Sequence, residues 1–399
     1  MHVRRTREND RERPPHRPYP RERSRHGSER HRRGHEARLR PRRTDPALGG
    51  EGDLPTPDFI CDAATRSLKA GETFYTWQRG IPELRAALAN YHAKLFGVAN
   101  DPERFYVTAS GMQSIVMAFA LTLGEGDEVV VPTPSWPNSG AAADAAAAKP
   151  VFVPMLLGPG GFTLDLDRLA GAVTPKTRAI FVNTPGNPTG WTATHAELRA
   201  ILDLARRHGL WIVADEVYGR FYYGDAPRAP SFHDVMAADD RILFVNTFSK
   251  NWSMTGWRIG WIEADPSLGQ VIENLIQAST SGVAVFMQRA AVAALEGGEH
   301  YVARQIERAR RGREIVAQLA ATGRVRLVPP AGAFYQLFSI DGEPDSRALA
   351  VRLIDEANIG LAPGTAFGAG AEPYLRLCFA RSAESLGEAV ERLTRWLAR

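Results

Sequence analysis

Residues 242–260 read Ile-Leu-Phe-Val-Asn-Thr-Phe-Ser-Lys-Asn-Trp-Ser-Met-Thr-Gly-Trp-Arg-Ile-Gly, a short apolar run that leads into a polar cluster. Two earlier runs have the same form: residues 179–182 precede the cluster 183–190, and residues 210–214 precede the cluster 215–218. Continuous apolar runs without polar alternation are typical of parallel strands that are covered on both faces. Ligands of open α/β sheets bind beyond the carboxyl ends of the strands, so we expect the three clusters to line one crevice.

Helical and strand patterns alternate along the chain from about Gly50 onward. In residues 83–96 the apolar side chains recur at the spacing of an amphipathic helix, whereas Val129–Val131 is a β-branched run that Pro132 stops. Pro and Gly stand at the junctions between such segments. This alternation indicates an α/β architecture.

A change of pattern near residue 298 indicates a second domain. A charged helical stretch, residues 299–321, leads from there into a separate group of apolar segments. We therefore predict a large domain over residues 63–297, and a small domain formed by residues 44–62 together with residues 298–399.

The first 43 residues contain 16 Arg, no Lys and six acidic residues, so their net charge is about +10 in a chain whose net charge is +4. With so few apolar side chains, the segment cannot offset the entropy of ordering it, and we predict that residues 1–43 are disordered. Three origins are open: a start codon assigned too early, a true solvated tail, or an arm that binds nucleic acid. Acidic residues among the arginines and the lack of an aromatic platform argue against the third, so no nucleic-acid partner is expected.

Cysteine content and hydropathy exclude several classes of protein. Only Cys61 and Cys378 occur, far apart, so neither a disulfide framework nor a thiolate zinc site is predicted, and no metal ligands are assigned. A reducing cytoplasm is the expected compartment. No apolar run approaches the ~18 to 20 residues of a membrane helix, so no membrane partner is expected.

Three motifs, taken in order, carry a family resemblance. They are Asn183-Thr-Pro-Gly-Asn-Pro-Thr-Gly190, Ala214-Asp-Glu-Val-Tyr218 and the lysine-containing segment Asn246–Gly260. Together they resemble the class I and II aminotransferases, pyridoxal-phosphate enzymes of fold type I, and the resemblance extends from about Gly50 to the end of the chain. It implies a three-layer α/β/α large domain with a mostly parallel central sheet, and a smaller α+β domain. It also implies transfer of an amino group from an L-amino acid to a 2-oxo acid.

The resemblance implies that Lys250 carries pyridoxal 5′-phosphate as a Schiff base and moves a proton during the reaction. That work needs a lowered pKa, because an amine near its reference pKa of ~10.4 stays protonated. Asp215 would face the pyridine nitrogen of the cofactor, Tyr218 and Asn187 its phenolic oxygen, and Trp136 the face of its ring. The structural alternatives are a surface lysine at a strand end, an aspartate that caps a turn, and aromatic side chains in the core.

Residues 108–115, Thr-Ala-Ser-Gly-Met-Gln-Ser-Ile, place small residues at the start of an apolar helix. The free N–H groups and the dipole of a helix start favour an anion such as phosphate, although such a turn is also the ordinary form of a helix N-cap. The resemblance assigns the cofactor phosphate to Ser110, Gly111, Met112, Thr247 and Arg258.

Arg376 lies inside the apolar run Tyr374-Leu-Arg-Leu-Cys-Phe379 and resembles the arginine that grips the α-carboxylate of the substrate. Gly50 resembles a glycine whose backbone closes over the same carboxylate. Trp136 and Asn187 complete the substrate contacts that the resemblance implies.

Tyr75 resembles a tyrosine that reaches the phosphate of the neighbouring subunit, which implies a homodimer with shared active sites. Two positions depart from the family members that act on dicarboxylates: Met112 stands where one branch has a lysine, and Gln277 where another has an arginine. Neutral side chains there would not neutralise a second carboxylate. We therefore expect an aromatic, aliphatic or small neutral amino acid, rather than aspartate, as the amino donor.

Two other functions stay open from the sequence. A carbon-sulfur β-lyase uses the same constellation, because the protonated cofactor ring stabilises the carbanion for either outcome. A transcription regulator with an aminotransferase-like sensor domain would carry a helix-turn-helix module ahead of that domain. Residues 1–50 show no amphipathic helix of the length that such a module needs.

Overall fold

A computed structural model describes residues 50–399 of the chain. The predicted disordered segment, residues 1–43, lies outside the described residues, as do the next six residues. None of the helices between residues 50 and 399 combines the length and the apolar character that a membrane span requires.

The helices begin and end where local chemistry stabilises their termini. Ser110 caps one helix, since its Oγ accepts a hydrogen bond from the Gln113 backbone N–H at 3.0 Å. Another begins with a reciprocal capping box between Thr194 and Glu197 and ends at Gly209, which has a left-handed φ of 64°. The α-helices are α1 Asp58–Lys69, α2 Pro82–Phe96, α3 Gly111–Thr122, α4 Asn138–Ala145, α5 Leu166–Gly171, α6 His195–His208, α7 Gly269–Ser279, α8 Val285–Gly297, α9 Glu299–Ala317, α10 Ser346–Ala357 and α11 Ala383–Leu397.

Strands form a seven-stranded sheet, a four-stranded sheet and a small hairpin. The large sheet has the order β1-β9-β8-β7-β6-β2-β3, and the small sheet the order β10-β11-β13-β12. The strands are β1 Phe105–Thr108, β2 Glu128–Thr133, β3 Lys149–Pro154, β4 Leu156–Gly158, β5 Gly161–Thr163, β6 Thr177–Asn183, β7 Trp211–Asp215, β8 Ile242–Thr247, β9 Gly260–Glu263, β10 Val325–Val328, β11 Tyr335–Ile340, β12 Ala362–Pro363 and β13 Leu375–Cys378.

The three apolar runs of the sequence form adjacent parallel strands, β6, β7 and β8. Ile180, Ile212 and Phe244 pack with α5 and α6 on one face of the sheet. The intervening side chains, such as Phe181 and Val213, pack with α3, α4 and α7 on the other face. Because both faces are covered, the runs need no polar alternation, and burial of each large apolar side chain contributes about 1.5 to 3 kcal/mol. The predicted three-layer fold with a mostly parallel sheet is confirmed.

The four-stranded antiparallel sheet lies in the C-terminal part of the chain, and α9, α10 and α11 pack around it. Its strands fall within residues 298–399, and the large sheet falls within residues 63–297. The division of the chain at those residues stays a prediction. Tyr218 and Phe221, which follow β7, pack into the hydrophobic core of the small sheet, so residues near the end of β7 contact both parts.

Candidate active site

A cavity of about 520 Å³ opens where the two sheets meet. Its size falls in the range of small-molecule sites, about 300 to 1,000 Å³. The carboxyl ends of β6, β7 and β8 all reach it, because parallel strands end at the same edge of a sheet. The predicted site residues that line it are Gly50, Gly111, Met112, Trp136, Asn187, Asp215, Tyr218, Thr247, Lys250, Arg258 and Arg376.

Lys250 follows β8, and its side chain points into the cavity. Its Nζ donates a hydrogen bond to the backbone oxygen of Gly50 at 2.8 Å and lies 5.7 Å from the centre of the Tyr218 ring. Desolvation by the surrounding protein lowers the pKa of the amine to about 8. About a tenth of the amine is therefore uncharged at pH 7, far more than for a lysine at its ordinary pKa, and the uncharged form is the one that attacks a carbonyl.

Asp215 is the last residue of β7, and it is 5% exposed. Burial raises the pKa of its carboxyl to about 7, while a hydrogen bond from the Val217 backbone N–H and the charge of Lys250 act in the opposite direction. A buried carboxyl of this kind binds a cationic ligand group well, because a cation favours its ionised form.

A hydrogen-bonded pair of tyrosines lies behind the lysine. The hydroxyls of Tyr218 and Tyr335 are 2.8 Å apart, and the Tyr335 hydroxyl also donates to the backbone oxygen of Gly50 at 3.2 Å. Burial raises the pKa of both phenols, so both stay protonated. The segment at Gly50 thereby becomes part of the cavity wall.

One end of the cavity combines a helix start with a cation. Gly111 and Met112 open α3, and the first N–H groups of a helix have no partner within it. Thr247 and Arg258 lie at the same end. Ser110 is absent from the cavity wall, because its hydroxyl caps α3; its predicted contact with the cofactor stays a prediction.

Gly260 allows the backbones to come together at this end. A side chain at residue 260 would place its Cβ 2.8 Å from the Gly111 nitrogen and 2.7 Å from the Asn246 oxygen. Only a residue without a Cβ lets β9 pass so close to the start of α3.

The other end of the cavity holds Arg376, which is 5% exposed and lies in β13. Its guanidinium stacks over the rings of Tyr335, at 4.5 Å, and Phe367, at 4.9 Å. Its Nη1 donates a hydrogen bond to Oδ1 of Asn187 at 2.9 Å. Asn187 is held in turn by its backbone N–H, which donates to Oδ1 of Asn183 at 2.8 Å. A planar cation in this position suits a carboxylate.

Comparison with known proteins agrees with this geometry. Residues 47–393 match the family model described as aminotransferase class I and II. The chain belongs to the class I and II aminotransferases. It is an aminotransferase, and the members of this family depend on pyridoxal phosphate.

Several relatives of this aminotransferase share about a third of its residues. Aspartate aminotransferase of Pyrococcus horikoshii is 35% identical, over 87% of this chain and 89% of that protein. Aromatic-amino-acid aminotransferase 2 of Thermococcus litoralis is also 35% identical, over 87% of this chain and 90% of that protein. The crystal structure of an aromatic aminotransferase from Pyrococcus horikoshii superposes with a TM-score of 0.84 at 34% identity, covering 88% of this chain and 95% of that one.

Besides Ser110, two further residues that the sequence singled out, Tyr75 and Gln277, lie outside the cavity of the aminotransferase. The Tyr75 side chain is 93% exposed, next to the similarly exposed Phe74 and Trp77. Gln277 lies on α7, where its Oε1 accepts a hydrogen bond from Gln78 Nε2 at 2.7 Å. Within residues 50–399, then, neither side chain contributes to the cavity of its own chain.

Sequence reasoning missed some residues of the aminotransferase cavity, above all Tyr335. The feature of the sequence that could have indicated Tyr335 is a tyrosine in an apolar strand, because a buried hydroxyl needs a hydrogen-bond partner. The other cavity residues that were not assigned are Glu51, Ile115, Asn183, Val217, Ser249, Thr255 and Ala362.

Proposed function

We propose that this aminotransferase holds pyridoxal 5′-phosphate in the cavity between its two sheets, attached covalently to Lys250. The observation that carries the proposal is the convergence of an amine with a lowered pKa, a buried carboxyl and a helix start with a nearby arginine on one cavity of about 520 Å³. Each of these groups suits a different part of the cofactor.

The phosphate would bind at the start of α3. The N–H groups of Gly111 and Met112, the Thr247 hydroxyl and the Arg258 guanidinium line the same end of the cavity, and their charges and dipoles favour a dianion. The close packing at Gly260 keeps this end narrow. The residues present therefore fit a phosphate group.

The ring nitrogen would lie at Asp215, whose carboxylate accepts a hydrogen bond from the protonated nitrogen and keeps the proton there. When bound, pyridoxal phosphate supplies a ring that withdraws electrons from the substrate Cα. With the cofactor bound, the free amine of Lys250 would be the base that takes and holds the proton from the substrate Cα. Tyr218, whose hydroxyl is hydrogen-bonded to that of Tyr335, packs beside the Lys250 amine.

The substrate carboxylate would bind to Arg376, which is the cation at the end of the cavity opposite Arg258. The cavity wall also includes the apolar side chains of Met112, Ile115, Trp136, Ala366 and Phe367. A second carboxylate on the substrate would lose its hydration against this wall without gaining a cation. The lining thus supports amino donors with aromatic or aliphatic side chains, although the relative from Pyrococcus is named for aspartate.

A second copy of the chain would complete the site. Phe74, Tyr75 and Trp77 are 83%, 93% and 67% exposed, and such a cluster of aromatic side chains is typical of an interface. We propose that it packs on a second copy and that Tyr75 reaches the phosphate end of that copy's cavity.

A donor screen by absorbance tests this function. The purified protein is loaded with the cofactor, and the visible absorption of the lysine-bound form is followed after addition of single amino acids without a 2-oxo acid. We expect aromatic and aliphatic donors to bleach the absorption, and a 2-oxo acid to restore it. If cystathionine instead yields stoichiometric pyruvate and ammonia without an acceptor, while no donor bleaches reversibly, the protein is a β-lyase rather than a transaminase.

A further inference from the structure

A second cluster of chemically active side chains lies outside the cofactor cavity. It brings together His92 of α2, His233 of the short helix Phe232–Asp234 and Glu263 at the end of β9. Nδ1 of His92, Nε2 of His233 and a carboxylate oxygen of Glu263 all lie within 4.8 Å of one another. Glu263 Oε2 is 3.0 Å from the first nitrogen and 2.9 Å from the second. Two imidazoles and one carboxylate form a ligand set that binds zinc.

The carboxylate is held in one orientation. Glu263 is 1% exposed within an otherwise apolar strand, where an unpaired charge would be costly. Its Oε1 is occupied by Asn100 Nδ2 at 3.0 Å and Arg104 Nε at 3.4 Å. Oε2 is therefore left to face the two imidazoles.

His92 points an unsatisfied nitrogen into the cluster. The residue is 2% exposed, and its Nδ1 has no hydrogen-bond partner of acceptable geometry within residues 50–399, despite its closeness to Glu263. A buried polar atom without such a partner costs about 1 to 3 kcal/mol. A cation bound by that nitrogen would remove the cost.

The contacts of Ser231 are compatible with a metal ion on His233, because its hydroxyl has one proton and two neighbouring acceptors. Ser231 Oγ is 2.9 Å from His233 Nδ1, and it is 2.7 Å and 2.9 Å from the two carboxylate oxygens of Glu216. If a neutral His233 keeps its proton on Nε2 for Glu263, Nδ1 takes the serine proton, and the bond between Ser231 and Glu216 then requires a protonated carboxyl, which burial of Glu216 favours. With a metal ion on Nε2, Nδ1–H donates to Ser231 and the serine donates to Glu216, so every bond has its donor.

We propose that His92, His233 and Glu263 form a site for a divalent transition-metal ion, with Zn²⁺ as the best fit. A water molecule would supply the fourth ligand, since a small cavity of about 30 Å³ lies against His92 and Ser231. The ion would cross-link α2, the segment around residue 233 and the end of β9. None of the three ligands lines the cofactor cavity, so the ion has a structural role and takes no part in amino transfer.

Metal content tests the site. The cofactor-loaded full chain is dialysed against a zinc-containing buffer, passed through a desalting column and measured by elemental mass spectrometry. We expect one Zn²⁺ per chain, and an anomalous difference peak at the zinc edge between the three ligand atoms in crystals. In the His92→Gln and Glu263→Gln variants we expect at least a tenfold loss of zinc affinity.

The matched control is His195→Gln, which removes another histidine near a carboxylate, 3.2 Å from Asp234 on the surface. It should keep the zinc. Circular dichroism and cofactor absorbance of each variant separate loss of metal from loss of fold. Absence of stoichiometric zinc in the wild type, or an anomalous peak at another position, overturns the proposal. A protonated Glu216 then supplies the donor for its bond to Ser231. The proposed aminotransferase function stands in either case, because the donor screen does not depend on zinc.

Discussion

Nη1 of Arg376 donates a hydrogen bond to Oδ1 of Asn187 at 2.9 Å, and so joins the small sheet to the loop after β6 across the cavity. The guanidinium also lies over two aromatic rings, those of Tyr335 and Phe367. These contacts fix the plane of the guanidinium before any ligand arrives, which reduces the entropy that a carboxylate must overcome in binding to it.

The Arg376→Lys variant tests this preorganised cation. Lysine keeps the charge but loses the planar fork and the bond to Asn187, so we expect kcat/KM for amino donors to fall roughly 30- to 150-fold, about 2 to 3 kcal/mol. Cofactor absorbance should be unchanged. Arg326→Lys is the control, since Arg326 lies in the same sheet but pairs with Asp341 on the surface. Equal losses in both variants would contradict the assignment.

The lowered pKa of Lys250 predicts how cofactor loading depends on pH. Only the uncharged amine attacks the aldehyde, and desolvation lowers its pKa from 10.5 to about 8. The rate of loading onto the cofactor-free protein should therefore rise with pH and level off above about 8. Stopped-flow absorbance measures it. A rate that continues to rise to pH 10 would indicate an ordinary lysine, and Lys250→Ala should show no visible absorption of bound cofactor.

Asp215→Asn separates cofactor binding from chemistry. The amide keeps the shape of the carboxyl but cannot hold a proton on the ring nitrogen, so the ring withdraws electrons less strongly. We expect loading to persist and kcat to fall about 10²- to 10³-fold. Asp203→Asn, a change at an exposed residue paired with Arg206, should leave kcat unaltered. A kcat near the wild-type value in Asp215→Asn would remove the aspartate from the mechanism.

Met112 should decide part of the donor preference. In Met112→Lys an ammonium enters an otherwise apolar wall, where it can pair with a second substrate carboxylate. We expect the ratio of kcat/KM for aspartate to that for phenylalanine to rise roughly fivefold, about 1 kcal/mol. Met112→Leu keeps the wall apolar and should not change this ratio. The ratio, measured with one 2-oxo acid acceptor, cancels any general loss of activity.

Strand ends were predictable from the sequence, whereas contacts between distant segments were not. Asp215 directly follows one apolar run and Lys250 lies in the polar cluster after the next, so their place at one edge of the sheet comes from strand pairing alone. Tyr335 is 117 residues from Tyr218, and no local pattern tells which buried tyrosine in β11 turns its hydroxyl to the cavity. Glu263 likewise looks like an interruption of a strand until His92 and His233 are placed beside it.

Tyr75 is predicted to act in the active site of a second copy of the chain, because its side chain is 93% exposed and lies outside the cavity of its own chain. Hybrid dimers of two variants test this prediction. One chain carries Lys250→Ala and keeps Tyr75, and the other carries Tyr75→Ala and keeps Lys250. If Tyr75 acts across the interface, one of the two sites in the hybrid contains both intact residues, whereas the other site lacks both.

The hybrid should then recover about half the activity per dimer of the wild type, although each parent homodimer is impaired. If Tyr75 acts on its own chain, neither site of the hybrid is complete, and the activity cannot exceed that of a single Tyr75→Ala site. Differently tagged chains, refolded together and purified by both tags, give the hybrid for this measurement. A hybrid of Lys250→Ala with an otherwise wild-type chain sets the value for one native site, because it too contains one intact lysine beside an intact tyrosine.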